Sequence, residues 1–249
     1  MHILIPLPNH DFDPTEAAVP WRMLTKAGHK VSFATPRGLL GRADQRMVTG
    51  QGLGPLKFIL MANKEALRAY QQMTSVNEFL HPMPYEDIHS DKFDGLLLPG
   101  GHAPLMKEYL DSSLLQSITG QFFQKQKPIA AICHGVVLAS RSKMENGESA
   151  LWRKNTTSLL KSQELLAWTL TAAWLGSYYR TYPQTVEDEV KSNLLSPQQF
   201  ISGPSPVSRD TEASDQAGFA VRDGNYVSAR WPGDAHRFSR LFLDVLAGA

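Results

Sequence analysis

The sequence predicts an α/β protein built on a doubly wound, mainly parallel sheet, and three observations predict it. Short apolar runs at 2–7, 30–35, 93–98 and 128–132 have the length and continuity of strands buried on both faces. Stretches of helical spacing separate several of them, giving the strand–helix alternation of a parallel sheet. Most of these runs stop at a turn carrying Pro or Gly, and in sheets of this kind ligands bind at the carboxyl ends of the strands.

His2 to Leu7 is the first buried strand, and 8–13 after it reads as a loop. Asp13-Pro14-Thr15-Glu16 opens a helix: Asp13 caps it, Pro14 suits the first helical position, Glu16 falls where a capping-box acid belongs, and Gly28 ends it. Lys30 to Thr35 is the second strand. From Pro36 to about Gly54 the chain is rich in Gly and Arg without clear periodicity, so it reads as an excursion from the sheet. Leu56, Ile59, Leu60, Ala66, Leu67 and Tyr70 restore helical spacing up to Met73, and 79–91 is a connection containing Pro and His. The expectation is one domain over 1–249 with a helical insertion around 37–91.

Phe93 to Leu98 continues the sheet and stops at Pro99-Gly100-Gly101. A helix over 114–126 and a strand over 128–132 then deliver Cys133, after which a short helix begins at Val136. A longer helix is expected from Ser162 to Leu175, ending at Gly176. A hairpin turns at Asp223-Gly224, and a last helix spans 236–246.

Composition excludes several classes of function. Over 249 residues the formal net charge is +1, and no run of Lys and Arg breaks that balance, so nucleic acid is not an expected partner. The N-terminus lacks a basic segment followed by a long apolar stretch, and no uninterrupted run approaches the roughly 18 apolar residues of a membrane span. A cytoplasmic location, with no membrane partner, is the expectation, and it suits a reduced thiol.

That thiol is the only cysteine in the chain. Ala130-Ala131-Ile132-Cys133-His134-Gly135 places it on a strand-to-helix turn, the geometry of a nucleophile elbow, with an imidazole beside it. A lone cysteine forms no internal disulfide, which leaves burial, metal binding or thiol chemistry. Glu16 could exchange a proton with the thiol if burial raises its pKa. His134 could relay protons if a third group orients it, and Glu164 is preferred for that role over Glu145, Glu148 and Glu187. The backbone N–H groups of Gly101 and His134 could form an oxyanion hole. His10, Asp11 and Asp13 match no metal-ligand spacing, so no metal is expected. Gly50-Gln51-Gly52-Leu53-Gly54 lacks the preceding strand and the spacing of a phosphate or dinucleotide loop. Trp168, Trp174, Tyr178, Tyr179 and Tyr182 read as core or interface material.

Asp13-Pro14-Thr15-Glu16, Leu96-Leu97-Leu98-Pro99-Gly100-Gly101-His102 and Ala131-Ile132-Cys133-His134-Gly135 together resemble the DJ-1/PfpI (ThiJ) superfamily. The likeness extends through Phe33-Ala34-Thr35-Pro36, Gly203-Pro204 and Arg222-Asp223-Gly224-Asn225, and the extra segment before Asp91 is most similar to the larger, Hsp31-like branch. The resemblance implies a flavodoxin-like sandwich, a homodimer, a reactive cysteine, and neither metal nor organic cofactor. It further implies glutathione-independent glyoxalase activity: Cys133 would attack a small reactive aldehyde such as methylglyoxal, and Glu16 or His134 would move the proton. Chaperone, redox-sensing and amidase or peptidase roles also occur in the superfamily. The related glutamine amidotransferases carry a C-terminal His-x-Glu, whereas His236-Arg237-Phe238 here supplies no glutamate.

Overall fold

The structure, a computed structural model, describes residues 1–205 and 208–248. In chain order its elements are β1 (His2–Pro6), β2 (His10–Phe12), α1 (Pro14–Lys26), β3 (Lys30–Thr35), β4 (Arg42–Ala43), α2 (Gln45–Thr49), α3 (Lys57–Leu60), α4 (Lys64–Met73), α5 (Asn77–Leu80), β5 (Met83–Pro84) and β6 (Gly95–Leu98). They continue through α6 (Lys107–Leu110), α7 (Ser113–Gln124), β7 (Ile129–Ile132), α8 (Gly135–Arg141), α9 (Lys161–Leu175), α10 (Val186–Ser192), β8 (Ala220–Asp223), β9 (Tyr226–Ala229) and α11 (Ala235–Leu246).

Seven strands form one sheet in the order β5-β3-β1-β6-β7-β9-β8, parallel throughout except for the β8–β9 hairpin. Ile3, Leu4, Ile5, Leu96, Leu97 and Leu98 are all at 0% exposure, as unalternating apolar strands must be when both faces are covered. From the central pair β1 and β6, the crossover through α1 runs one way and that through α7 the other. Right-handed connections therefore put these helices on opposite faces, where α1 packs with α4 and α11, and α7 with α8. This is a flavodoxin-like α/β sandwich. Its switch point lies between β1 and β6, so the loops after β1, β6 and β7 meet at one end of the sheet.

Three segments read as irregular connections contribute short strands instead. His10–Phe12 pairs with Arg42–Ala43 in a separate two-stranded sheet, and Met83–Pro84 adds a short edge to the main sheet beside β3. Such two- and three-residue strands are stabilised by distant partners rather than by local alternation. The helical stretch after Pro55 is broken at Met61–Asn63, where Asn63 caps α4 by accepting from Ala66 N–H at 2.8 Å. No helix among the described residues is long and apolar enough to cross a membrane.

Candidate active site

Strand β7 is buried throughout and ends at Cys133, whose φ is +58°, a left-handed backbone that a non-glycine residue adopts only when its surroundings impose it. The helix that follows is packed just as tightly. A Cβ on Gly135 would stand 2.1 Å from the Leu98 carbonyl oxygen, so helix α8 can start this close to β6 only with glycine there. The elbow expected from the sequence is present, and its thiol is 4% exposed.

The loop after β1 brings Glu16 to the same place. Asp13 Oδ1 accepts from the N–H groups of Thr15 at 2.7 Å and Glu16 at 3.1 Å, which fixes the first turn of α1. Asp13 N–H in turn donates to Gly100 O at 2.9 Å, and Gly100 N–H donates to Glu16 Oε2 at 2.9 Å. Glu16 is thus not a capping-box acid: it turns inward, at 0% exposure, and binds the turn after β6. Gly100 permits this approach, since a Cβ there would lie 2.7 Å from both Glu16 Oε2 and His134 N. Glu16 Oε1 has no conventional hydrogen-bond partner.

The Glu16 and Cys133 side chains are coupled. Burial, then the charge of Asp13, pushes the Glu16 carboxyl well above the usual carboxylate range, so that it holds a proton more readily than a solvated acid. Burial, then the Glu16 and Asp13 charges, pushes the Cys133 thiol up, while the His134 backbone N–H works the other way by favouring the thiolate. The direct Cys133–Glu16 side-chain contact lowers the acid and raises the thiol, as a proton shared between them requires. Asp13 itself is raised to about 6, chiefly by burial.

His134 is fully buried, and burial followed by the neighbouring His102 lowers its pKa to about 3, so the ring is neutral. Its Nδ1 lies 3.5 Å from Cys133 Sγ and its Nε2 lies 3.1 Å from Thr181 Oγ1. Thr181 has one hydroxyl proton and donates it to the His102 carbonyl at 2.6 Å. Toward His134 it can only accept, so Nε2 carries the ring proton and Nδ1 presents a lone pair to the thiol. Thr181, which no motif singled out, occupies the third position that the sequence reading gave to Glu164.

Glu164 is a wall rather than a triad member. Its Oε2 accepts from Val186 N–H at 2.9 Å and its Oε1 lies 3.2 Å from Arg180 Nε. Glu187 accepts from the Lys161 N–H and pairs with Lys191, and Glu148 hydrogen-bonds Asn146 on the surface. The Gly101 N–H donates to no acceptor among the described residues, which leaves it free for a substrate oxygen, and the His134 N–H faces the sulfur. Asp11 accepts from Leu105 N–H, Asp13 is spent on α1, and His10 is exposed. Among the described residues no three His, Cys, Asp or Glu side chains converge on a metal position.

His236 lies outside the site. Its Nδ1 is 2.8 Å from Asp210 Oδ1 and its Nε2 is 3.1 Å from Glu65 Oε1, an arrangement in which both ring nitrogens must donate. The tyrosines expected in the core do stand there in part: Tyr178 and Tyr179 are buried, Tyr179 stacks on His102 with centroids 4.3 Å apart, and Tyr178 donates to Asp44. Trp168 and Trp174 are partly exposed.

A family model described as ThiJ/PfpI family-like matches residues 7–204. The chain is 22% identical over 227 residues to the glutathione-independent glyoxalase hsp3101 of Schizosaccharomyces pombe, covering 88% of this chain and 83% of that one. It is 27% identical over 164 residues to the deglycase TK1284 of Thermococcus kodakarensis, covering 66% of this chain and 69% of the other. The crystal structure of glyoxalase III from Candida albicans matches at a TM-score of 0.66 and 18% identity, over 99% of this chain and 96% of that one, a likeness of fold.

Proposed function

The chain belongs to the ThiJ/PfpI family, and on that premise we propose that it converts 2-oxoaldehydes to 2-hydroxy acids without glutathione. The observation that carries this reading is the fully buried, proton-holding Glu16 carboxyl coupled to a thiol on a strained elbow. A relative named as a glutathione-independent glyoxalase is in keeping with it.

Sulfur adds to the aldehyde carbon, C1, and the thiol proton passes by way of His134 Nδ1 to the aldehyde oxygen, giving a hemithioacetal. Gly101 N–H stabilises the charge that builds on that oxygen. Glu16, once ionised, takes the C1 hydrogen as a proton and delivers it to the ketone oxygen at C2, leaving an enediol. A second proton, from the C1 hydroxyl, moves to C2 through the same carboxyl and leaves a 2-hydroxythioester. Water cleaves the thioester, releasing the acid and restoring the thiol. The sum is RCOCHO + H2O → RCH(OH)COOH, with no external oxidant or reductant.

A raised, buried thiol is ill suited to peroxide sensing, which favours an exposed thiolate of low pKa. The test is lactate formation from methylglyoxal by the purified protein without glutathione. Loss of turnover in Cys133→Ala supports the reading, and turnover undiminished in that variant overturns it.

A further inference from the structure

Above Cys133 the site opens into a cavity of about 310 Å³ whose walls include Ile59, Leu60, Leu159, Leu166, Leu170 and Trp231. This is the low end of the range for sites that enclose a drug-sized ligand, and far more room than a three-carbon aldehyde fills. Much of the wall comes from two weakly embedded elements, the four-residue α3 and the fifteen-residue α9. Along α9 only Glu164 and Thr171 are buried, while Leu166 and Leu170 line the cavity yet stand 60% and 48% exposed. Opposite them Ile59 of α3 is 67% exposed. Trp174 Nε1 donates to Gly52 O at 2.9 Å and ties α9 to the glycine-rich loop ahead of α3.

The charged side chains at the rim of the lining are partly engaged. Arg209, the one cation among the described residues of the lining, lies over the Trp231 ring, donates to Ile59 O at 3.1 Å and faces the charges of Asp13 and Asp210, which offset its own. Glu164 is held by Val186 and Arg180. Among the described residues of the lining, four buried polar atoms have no partner: Glu16 Oε1 of the reacting pair, and Tyr179 OH, His102 Nε2 and Trp231 Nε1, the last three on neutral groups. A neutral oxygen satisfies the neutral groups, whereas an anionic group would meet the Asp13, Glu16 and Glu164 carboxyls, three acids against the cation of Arg209.

We infer that the preferred substrate is a neutral 2-oxoaldehyde with an apolar tail, its carbonyl carbons at Cys133 and Glu16 and its tail between α3 and α9. This rests on the glyoxalase reading for the reacting end and on the cavity alone for the tail.

The experiment compares methylglyoxal, phenylglyoxal and 2-oxooctanal as substrates, and measures binding of unreactive octanamide by calorimetry, in the wild type, Leu170→Asp and Leu166→Asp. Both leucines are exposed enough for aspartate to leave the fold intact, which circular dichroism checks. Transfer of a methylene from water is worth about fourfold, so kcat/KM should rise at least about 30-fold from methylglyoxal to 2-oxooctanal. That ratio and the octanamide affinity should both fall about tenfold or more in either aspartate variant. Turnover of methylglyoxal with no gain from chain length overturns the tail site and leaves the glyoxalase reading standing. Octanamide binding that weakens in the variants, with no aldehyde turnover, upholds the tail site while the glyoxalase reading falls. If Leu170→Asp instead converts a dimer to monomers and leaves the ratio untouched, the α9 face belongs to a second copy and the inference is overturned.

Discussion

Thr181 stands to His134 as an acceptor and not as a donor, because its only proton is given to the His102 carbonyl. Thr181→Val removes the acceptor, leaves Nε2–H buried and unpaired, and frees the ring to take the other tautomer. The expected result is a stability loss of about 1–3 kcal/mol in urea unfolding and a kcat roughly tenfold or more lower with KM little changed. Thr181→Ser should restore both. Equal activity in the valine variant would remove Thr181 from the mechanism.

The raised pKa of Glu16 links stability to pH in a definite sense. The folded state keeps this proton at a pH where the unfolded chain has already released it, so the stability it confers is complete below about 4.5 and declines as pH rises toward the folded value. Glu16→Gln keeps a neutral side chain at every pH and should flatten that decline. The same variant should lose about 100-fold or more in kcat, so a more stable and nearly inactive protein is expected near neutrality. Thermal melts from pH 4 to 8 beside turnover assays measure both.

The wild-type kcat/KM should rise with pH, with its acid limb above the range of ordinary carboxylates, because Glu16 must ionise to take the C1 proton. A limb near pH 4 would contradict the assignment. In Glu16→Asp the limb should persist at a shifted position, and a pH–rate profile reads this directly.

His236 changes stability with pH in the same sense as Glu16, from a different cause. Burial lowers its pKa, but the hydrogen bond and charge of Asp210 and the charge of Glu65 outweigh burial and raise it. Its stabilisation is present below about 6.5 and is lost as pH rises through the folded value. His236→Gln should abolish the part of the pH dependence that falls above 6.5, which chemical denaturation at pH 6 and pH 9 detects.

Gly135→Ala places a methyl 2.1 Å from the Leu98 oxygen, and the helix cannot retreat without dragging Cys133 off its turn. A loss of about 3 kcal/mol or more is expected, or failure to fold. An alanine variant of wild-type stability would show that the elbow has room to spare.

The sheet and the reacting pair were legible in the sequence because their signals are local. Asp13 sits one residue before Pro14, the strand runs are continuous, and the residues around Cys133 state their own geometry. What escaped depends on distant contacts. Thr181 lies 47 residues beyond His134 in a stretch without periodicity, and a threonine carries no charge to mark it. Glu164 was drawn in by its chemistry and its place in a helix's first turn, yet Arg180 and Val186 claim it. Strands β2, β4 and β5 are too short to alternate, and only their partners define them.

The two ends of the cavity differ in how freely they can vary. At the reacting end Gly135, Gly100 and Glu16 are fitted to backbone atoms, so a change at any of them disturbs the others. Helix α9 is anchored by two buried side chains, and substitutions on its exposed face cost the fold little. A lineage carrying this architecture can therefore reshape the cavity by mutating α9 and α3 residue by residue, with the geometry around Cys133 inherited unchanged.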